Sequence, residues 1–584
     1  MRNFKLCTVL LLTASIIFSE GCKKADSPTL PQGPDFETKM RIKIEGFVTD
    51  ENNTPLGGAL VKAGAATVIS NQYGYFSFDE AEVSKISAVI SVQHPDYLTA
   101  FRSSVPKQDQ SAFLRVKMMR KISAGSFDAA SGGSVTIPSG LEVSLPANGV
   151  VDAGGVLYSG TVTVVAENID PSSGDFALRM PGDLQAVDET GKLGMVKAFG
   201  MSAIKLLGDG GESLQIAPGK KAVIGIPITA SATSSAPANS ALWYFDEQKG
   251  IWMREGEGMK NGTRYTAEVS HFSFWSFASF SSVVPLDFTI LDSASRPVAG
   301  ALVRVTNVSD PSTVAYAYTN SNGYLSGVVP EGTDLVMEIF AGLGCTTPVH
   351  TVNLPASNSA ISFGDITVPS SQSILISGTI ATCSLSPVAD GYLYLIINGQ
   401  HLRYSVTNGS FQFPLIHCLA GNNVTVIAGN AAASVESSPQ SFTVTSPNLD
   451  LGNIQACGNT AQEFLYCTIN GVDYSFVEPT DSIQHSFFDP GNYSRVSAFN
   501  DAGDVAWFEF ENTDILTVGW PGNIVSFYSS NINDTITPQF SIFTTESAFW
   551  GTGGFLGGYF QGQGTGRPPA NTVYNVSATY RVRN

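Results

Sequence analysis

Histidines, cysteines and clustered aromatics are the residues of this chain whose types could carry chemistry or binding. A His-x-x-Glu zinc motif places two metal ligands at a helical offset. The six histidines read His94-Pro-Asp-Tyr, His271-Phe-Ser-Phe, His350-Thr-Val-Asn, His401-Leu-Arg-Tyr, His417-Cys-Leu-Ala and His485-Ser-Phe-Phe, and none has glutamate three residues on. HExxH, GxSxG and Walker loops are absent as well. The chain therefore reads as a non-enzyme, with no catalytic residue, no metal ligand and no cofactor. A hydrolase with scattered catalytic groups is the alternative, because triads are recognised by geometry and not by order. Plainer roles fit the single residues. His271 is expected to be a hydrogen-bonded structural histidine, His417 a surface histidine beside a disulfide, and Asp50, Asn52 and Asn53 Asx residues that bond their own backbone rather than calcium.

Trp507, Phe508, Trp520, Phe549, Trp550, Phe555, Tyr559 and Phe560 fall among glycines and polar residues near the C terminus. Flat aromatics on a β-surface can stack sugars or clasp peptides. Trp507, Trp520, Trp550 and Tyr559 are thus candidate binding residues for a glycan or protein ligand, with core packing as the competing reading. Beyond Cys22 stand Cys345, Cys383, Cys418, Cys457 and Cys467, without CxxC spacing. Disulfides are the default for such cysteines in an oxidising compartment. Five cysteines in two bonds allow fifteen pairings. Cys383–Cys418, within one module, is the preferred pair, with Cys457 joined to a neighbour and at least one thiol free.

Cys22 fixes the address. Arg2 and Lys5 form a positive n-region, Leu6 to Phe18 an apolar run, and Ser19-Glu20-Gly21-Cys22 resembles a lipoprotein lipobox, with Glu20 an unusual occupant. The resemblance implies that residues 1–21 are removed and that Cys22 carries acyl chains, two or more of which give stable attachment. The apolar run is short of the roughly 20 residues that cross a bilayer. Residues 22–39, with Pro28, Pro31, Gly33 and Pro34, read as a flexible tether. Lys23-Lys24-Ala25-Asp26 matches an acidic surface-export signal poorly. An outer-membrane, lipid-anchored location follows, with the cell surface expected and the periplasmic leaflet as alternative.

Strands must position whatever binds. Gly, Ser, Thr, Val, Tyr and Phe are abundant, and only 14% of residues are charged, which favours strands and turns. A length of 584 residues implies about four domains. Loss of Arg2, Lys5 and Glu20 with the leader moves the formal charge from −18 to −19. That excludes nucleic acid as a partner, since phosphate binding needs clustered Lys and Arg.

The segment from Arg41 reads as a strand over Ile42, Ile44, Phe47 and Val48, a turn from Asp50 to Pro55, a second strand at Ala59 and Val61, and a third at Tyr75, Phe76 and Phe78. Gly57, Gly58 and Gly74 free the backbone at its corners. Gly46, Val48, Asp50, Pro55, Leu56, Gly58, Ala59, Val61, Gly74, Tyr75 and Phe76 together resemble the carboxypeptidase regulatory-like domain. That family implies a seven-stranded, transthyretin-like β-sandwich of the kind found in Bacteroidetes surface lipoproteins. The pattern returns at Asp292, Pro297, Val298, Gly300, Ala301, Val303, Thr319, Asn320, Gly323 and Tyr324, which marks an internal repeat. A weaker echo uses Gly378, Pro387, Val388, Gly391, Tyr392, Asn408, Gly409 and Phe411, without the aspartate, and reads as a related, Ig-like sandwich.

The expected fold is all-β, with tandem transthyretin- or Ig-like sandwiches and a C-terminal sandwich or small barrel. The divisions are 40–122 for the first sandwich, 123–285 for a middle region of one or two submodules, 286–370 and 371–459 for the second and third sandwiches, and 460–584 for the C-terminal domain. In the middle region, strands pair across Gln248-Lys249-Gly250 and carry Trp243, Phe245 and Trp252. This region is weakly similar to an extracellular module of matrix and cell-surface proteins ending in the same His-Phe-Ser-aromatic-Trp strand. The C-terminal piece opens with a hairpin at Asn470-Gly471, and it resembles C-terminal β-domains of Bacteroidetes lipoproteins. The function that follows is display of modules for binding glycan, matrix or partner protein, with attachment to the membrane through the N-terminal lipid. The alternative is an accessory lipoprotein of an outer-membrane nutrient-uptake system.

Overall fold

The computed structural model describes residues 33–583 except 312–313, 342–346, 398–399, 417–422, 434, 445–447, 461–462, 471, 479, 489–492, 502, 512–520, 540, 547–554 and 570. Cys22, the leader and most of the tether lie outside the described residues. Among those described, the fold is all-β, and helix is confined to one turn at Phe176–Arg179 and two 3-10 turns. No described helix is long and apolar enough to cross a membrane.

Three segments share one topology. In the first module, Lys39–Thr49 pairs antiparallel with Tyr75–Ser84 and parallel with Ala112–Lys117, and a second sheet packs Ala66–Ile69, Leu60–Ala63, Ala88–Gln93 and Ala100–Ser104 against it. The strand Ala66–Ile69 was not visible in the residue pattern, because its four residues are all half-buried and show no alternation. In the second module, Phe274–Leu291 takes the place of the first strand, between Tyr324–Pro330 and the parallel Ile361–Thr367. In the third, Ser373–Ala381 lies between Ser410–Ile416 and the parallel Asn448–Gln455.

The corner that closes each module is built alike. Isolated bridges join Thr49 to Pro55, Leu291 to Pro297 and Ala381 to Pro387. Asp50 Oδ1 accepts from the Asn52 and Thr54 amides at 2.8 and 2.7 Å, and Asp292 Oδ1 accepts from Ala294 and Arg296, both at 2.9 Å. These are Asx turns, as the residue types imply. The third module lacks the aspartate, and Thr382 Oγ1 takes its role by accepting from the Ser386 amide at 3.2 Å. Gly74, Gly323 and Gly409 have φ of +71°, +69° and +71°. A Cβ there would sit 2.1, 2.4 and 2.7 Å from the carbonyl oxygens of Val48, Ile290 and Ile380, so no larger side chain fits.

The disulfide corrects an expectation. Cys383 bonds Cys457, with Cα atoms 5.2 Å apart, and not Cys418, which with Cys345 lies outside the described residues. Cys383 and Cys457 follow Ala381 and Gln455, the paired ends of two parallel strands. The strand leading toward Cys418 ends at Ile416, opposite Ser373 at the other end of the same strand. Cys467 is a buried free thiol whose pKa burial pushes up to about 12.

Phe274–Leu291 crosses the 285/286 division without a break. Its first half pairs with Leu193–Leu207 of the middle region and its second half with Tyr324–Pro330 of the second sandwich. The middle region holds one core around Val143, Val164, Tyr265, Trp275 and Phe277. A second core gathers Trp243, Phe245 and Trp252, and Leu98, Phe101 and Met119 of the first module pack into it. In the C-terminal domain, one continuous sheet runs from Val472–Val477 through Phe464–Ile469, Val573–Arg583 and Phe555–Thr565 to Ser482–Phe488. Its strands share a single core that includes Phe476, Ile483, Phe508, Phe560 and Tyr580, so the sheet is rolled on itself.

The modules are not strung out like beads, because the first one touches all the others. Ser87 Oγ donates to the Gly250 carbonyl at 3.1 Å, and Lys117 pairs with Asp175 at 2.8 Å in the middle region. Asn320 Nδ2 and Ser326 Oγ of the second sandwich donate to the Ser111 and Val105 carbonyls, each at 2.8 Å. Phe47 and Tyr75 form a small core with Tyr394 and Ile427 of the third. Toward the C-terminal domain, Thr579 Oγ1 donates to the Gly58 carbonyl at 3.2 Å, and Lys121 pairs with Asp473 at 3.3 Å.

Candidate functional site

The rolled C-terminal sheet turns alternate residues outward, and those of Val505–Glu511 form the centre of the candidate site. Ala506, Phe508 and Phe510 enter the core, whereas Trp507 and Glu509 remain half-buried on the outer face. Register places Trp507 opposite Ser497 on one neighbour and Tyr528 on the other. The Trp507 and Tyr528 rings stack at 5.6 Å with an interplanar angle of 19°. From the other side, the Arg495 guanidinium lies 4.4 Å from the Trp507 centroid and 5.3 Å from that of Phe488.

The result is a row, Phe488–Arg495–Trp507–Tyr528, crossing four neighbouring strands. Glu509 holds Arg495 in place by accepting from Nη2 at 2.5 Å and Nε at 3.0 Å, and Ser526 Oγ braces Glu509 at 2.8 Å. Phe488 is 44% exposed at the end of the row. Because Arg495 and Tyr528 flank Trp507 on either side, both indole faces are already covered. A sugar ring, which needs an open aromatic face, would have to displace one of them. The edges of the row remain available, and Trp, Tyr and Arg are the residue types that dominate protein interfaces.

The other candidates do not converge here. Tyr559 also faces outward, on Phe555–Thr565. Three strand spacings separate that strand from Trp507, roughly 14 Å, and its cross-strand neighbour Thr579 abuts the first module. Trp520 and Trp550 lie outside the described residues, as does His417. Phe488, Arg495 and Tyr528 were missed in the sequence, where other aromatics flagged the region. The alternation of Tyr493–Phe499 beside an aromatic strand is the signal that could have pointed to Arg495.

Of the histidines, His271 Nε2 lies 2.9 Å from Glu255 and its ring packs on Tyr244 and Trp275. His94 and His401 are buried, and burial lowers each to about 4, so both are neutral. Among the described residues, no group of three or more His, Cys, Asp or Glu side chains could hold a metal ion.

The fold and this face define an all-β, multi-module protein, and comparisons add little beyond that. No family model matches the chain. Mouse cartilage intermediate layer protein 2 is 25% identical over 268 residues, covering 44% of this chain and 22% of that protein. The chain thus spans about a fifth of that relative's length. Among solved structures, the shaft pilin SpaA of Lactobacillus rhamnosus GG is 10% identical, with a TM-score of 0.17 over 30% of this chain and 98% of its own. The streptococcal ancillary pilin, 10% identical, gives 0.15 over 39% and 95%. The Bacillus anthracis TIE protein, 11% identical, gives 0.14 over 59% and 69%. Likeness at these scores carries no argument about function.

Proposed function

We propose that this chain is a non-catalytic, lipid-anchored cell-envelope protein of the carboxypeptidase regulatory-like kind, which displays its C-terminal domain for binding a partner protein. The lipobox ending at Cys22 supports the anchor, and the repeated sandwich corner supports the family. The observation that carries the binding role is the ordered outer row of Phe488, Arg495, Trp507 and Tyr528. Its covered ring faces favour a protein surface over a glycan. The partial match to a protein named for the cartilage intermediate layer fits a display role outside the cell.

Two measurements test this reading. Radiolabelled palmitate should enter the wild-type chain and not Cys22→Ser expressed in its own host. Surface cross-linking of intact cells should capture an envelope or matrix protein with the wild type and at least tenfold less of it with Trp507→Ala at an unchanged melting temperature. Palmitate uptake by the Cys22→Ser chain, or saturable glycan-array binding that Trp507→Ala leaves intact, would overturn it.

A further inference from the structure

A cavity of about 140 Å³ opens where the first module, the middle region and the second module meet. It occupies the unclosed side of the second sandwich, between the edge strands Val314–Tyr318 and Tyr324–Pro330. Residues 102–107 and 110–115 of the first module, and 180 and 183–185 of the middle region, cap it. Much of the wall is apolar, with Leu184, Met195, Val303, Leu325 and Val329 among its members.

Two cations stand in this apolar lining. Arg102 and Arg115 are 8% and 9% exposed. Each gives one amino group to a backbone carbonyl, Met180 at 3.1 Å and His401 at 2.7 Å, and each keeps a buried Nε with no partner. The Tyr318 ring lies 5.0 Å from the Arg115 guanidinium. Its hydroxyl has no partner, and neither have the Ser104 and Ser111 hydroxyls on the same wall. Asp183 is the carboxyl whose charge acts on Arg102. Its two oxygens accept from the Gln185 backbone and side-chain nitrogens, both at 2.8 Å, and burial raises its pKa.

A buried guanidinium without a hydrogen-bonded counter-ion is costly, and a buried hydroxyl without a partner adds to that cost. An arrangement of unpaired donors against hydrocarbon walls is what an amphiphilic anion would complete. A cavity of this size has space for roughly ten water-sized positions, which an eight-carbon chain with a carboxylate head would fill.

We infer that this inter-module cavity is a binding site for a small aliphatic carboxylate, its head received by Arg102 and the Tyr318 hydroxyl and its chain laid along the wall of the second sandwich. The site is separate from the aromatic row of the C-terminal domain and does not depend on the display reading. A carboxylate accepts two guanidinium N–H bonds at once, whereas an alcohol of the same length leaves the cation unpaired.

Octanoate and 1-octanol, titrated into the full mature protein by calorimetry and thermal melting, test the assignment. Octanoate should bind saturably and raise the melting temperature, with 1-octanol at least tenfold weaker. Arg102→Met should lower octanoate affinity at least tenfold and leave that of 1-octanol unchanged. Crystals soaked in 8-bromooctanoate give a readout that needs no variant, since anomalous bromine density should lie in the cavity. Equal binding of acid and alcohol, absence of saturable octanoate binding, or a cavity holding only water in the soaked crystals would overturn the inference.

Discussion

Replacing Glu436 tests whether the first and third sandwiches hold together as one cooperative body. Its carboxylate is 4% exposed. Oε2 accepts from the Tyr73 hydroxyl at 2.7 Å and Gln72 Nε2 at 2.9 Å, both in the first module, and Oε1 accepts from Tyr392 at 2.7 Å. Burial, reinforced by the Glu436 charge, raises the pKa of both tyrosines, so they remain donors. Hydrogen bonds to a charged group are worth about 1.5–3 kcal/mol each. Glu436→Ala removes three, and relief from burying the charge returns part of that sum, leaving a net loss of about 3–5 kcal/mol. In Glu436→Gln the amide oxygen can serve Tyr73 and Gln72 while its NH2 donates to Tyr392, so only the charge assistance goes, about 1–2 kcal/mol. Hydrogen exchange under mild urea should show Tyr75–Ser84 and Asn423–Asn430 opening together in the wild type and separately in Glu436→Ala. Exchange free energies unchanged within about 0.5 kcal/mol in both variants would refute the claim that this contact couples the modules.

Peptide mapping should recover Cys383 linked to Cys457, and Cys383→Ser should cost about 4 kcal/mol in the third sandwich, the loop-closure value for a separation of 74 residues; a Cys383–Cys418 peptide would contradict the structure. Stability should fall as pH drops from 6.5 toward about 4. His94 and His401 stay neutral in the native state over that window while the unfolded chain binds protons, and the cost approaches roughly 3 kcal/mol each. Around His94, Asp96 opposes this lowering and Lys121 and Arg120 reinforce it, and Arg115 reinforces it at His401. His94→Phe should therefore flatten the acid limb of a pH–denaturation profile, and an unchanged limb would count against the assignment. Gly58→Ala places a Cβ 2.1 Å from the Tyr466 ring at φ +76°, whereas Gly155→Ala at φ +79° meets nothing within 4 Å. The second should cost only the about 1–2 kcal/mol of the left-handed backbone. The first should cost clearly more and loosen the C-terminal domain from the first module, as read by limited proteolysis.

Much of the architecture was legible in residue patterns because it is enforced locally. Asx residues at Asp50 and Asp292 form their turns from their own side chains, and the glycines at 74, 323 and 409 mark backbone that no Cβ can enter. Asn470, at φ +49°, turns its hairpin as its residue type demands. The third sandwich was recognised less fully because Thr382 does the work of the missing aspartate, and a threonine gives a weaker signal. At the candidate site, Trp507 was legible as an aromatic. Its covered ring faces were not, because Arg495 and Tyr528 reach it only through strand register.

By itself the sequence determined the alternating strands, the corners, the repeat and the expectation of an acylated Cys22, since each depends on residues close together in the chain. Tertiary structure alone decided that Cys383 meets Cys457, that the first module contacts every other, and that two arginines are buried at a three-module junction. Those outcomes depend on which strand ends and which sandwich edges come together across distances of 58 to more than 500 residues. Burial and pairing over such separations are set by the packing of whole sheets, and no local pattern of residue types records them.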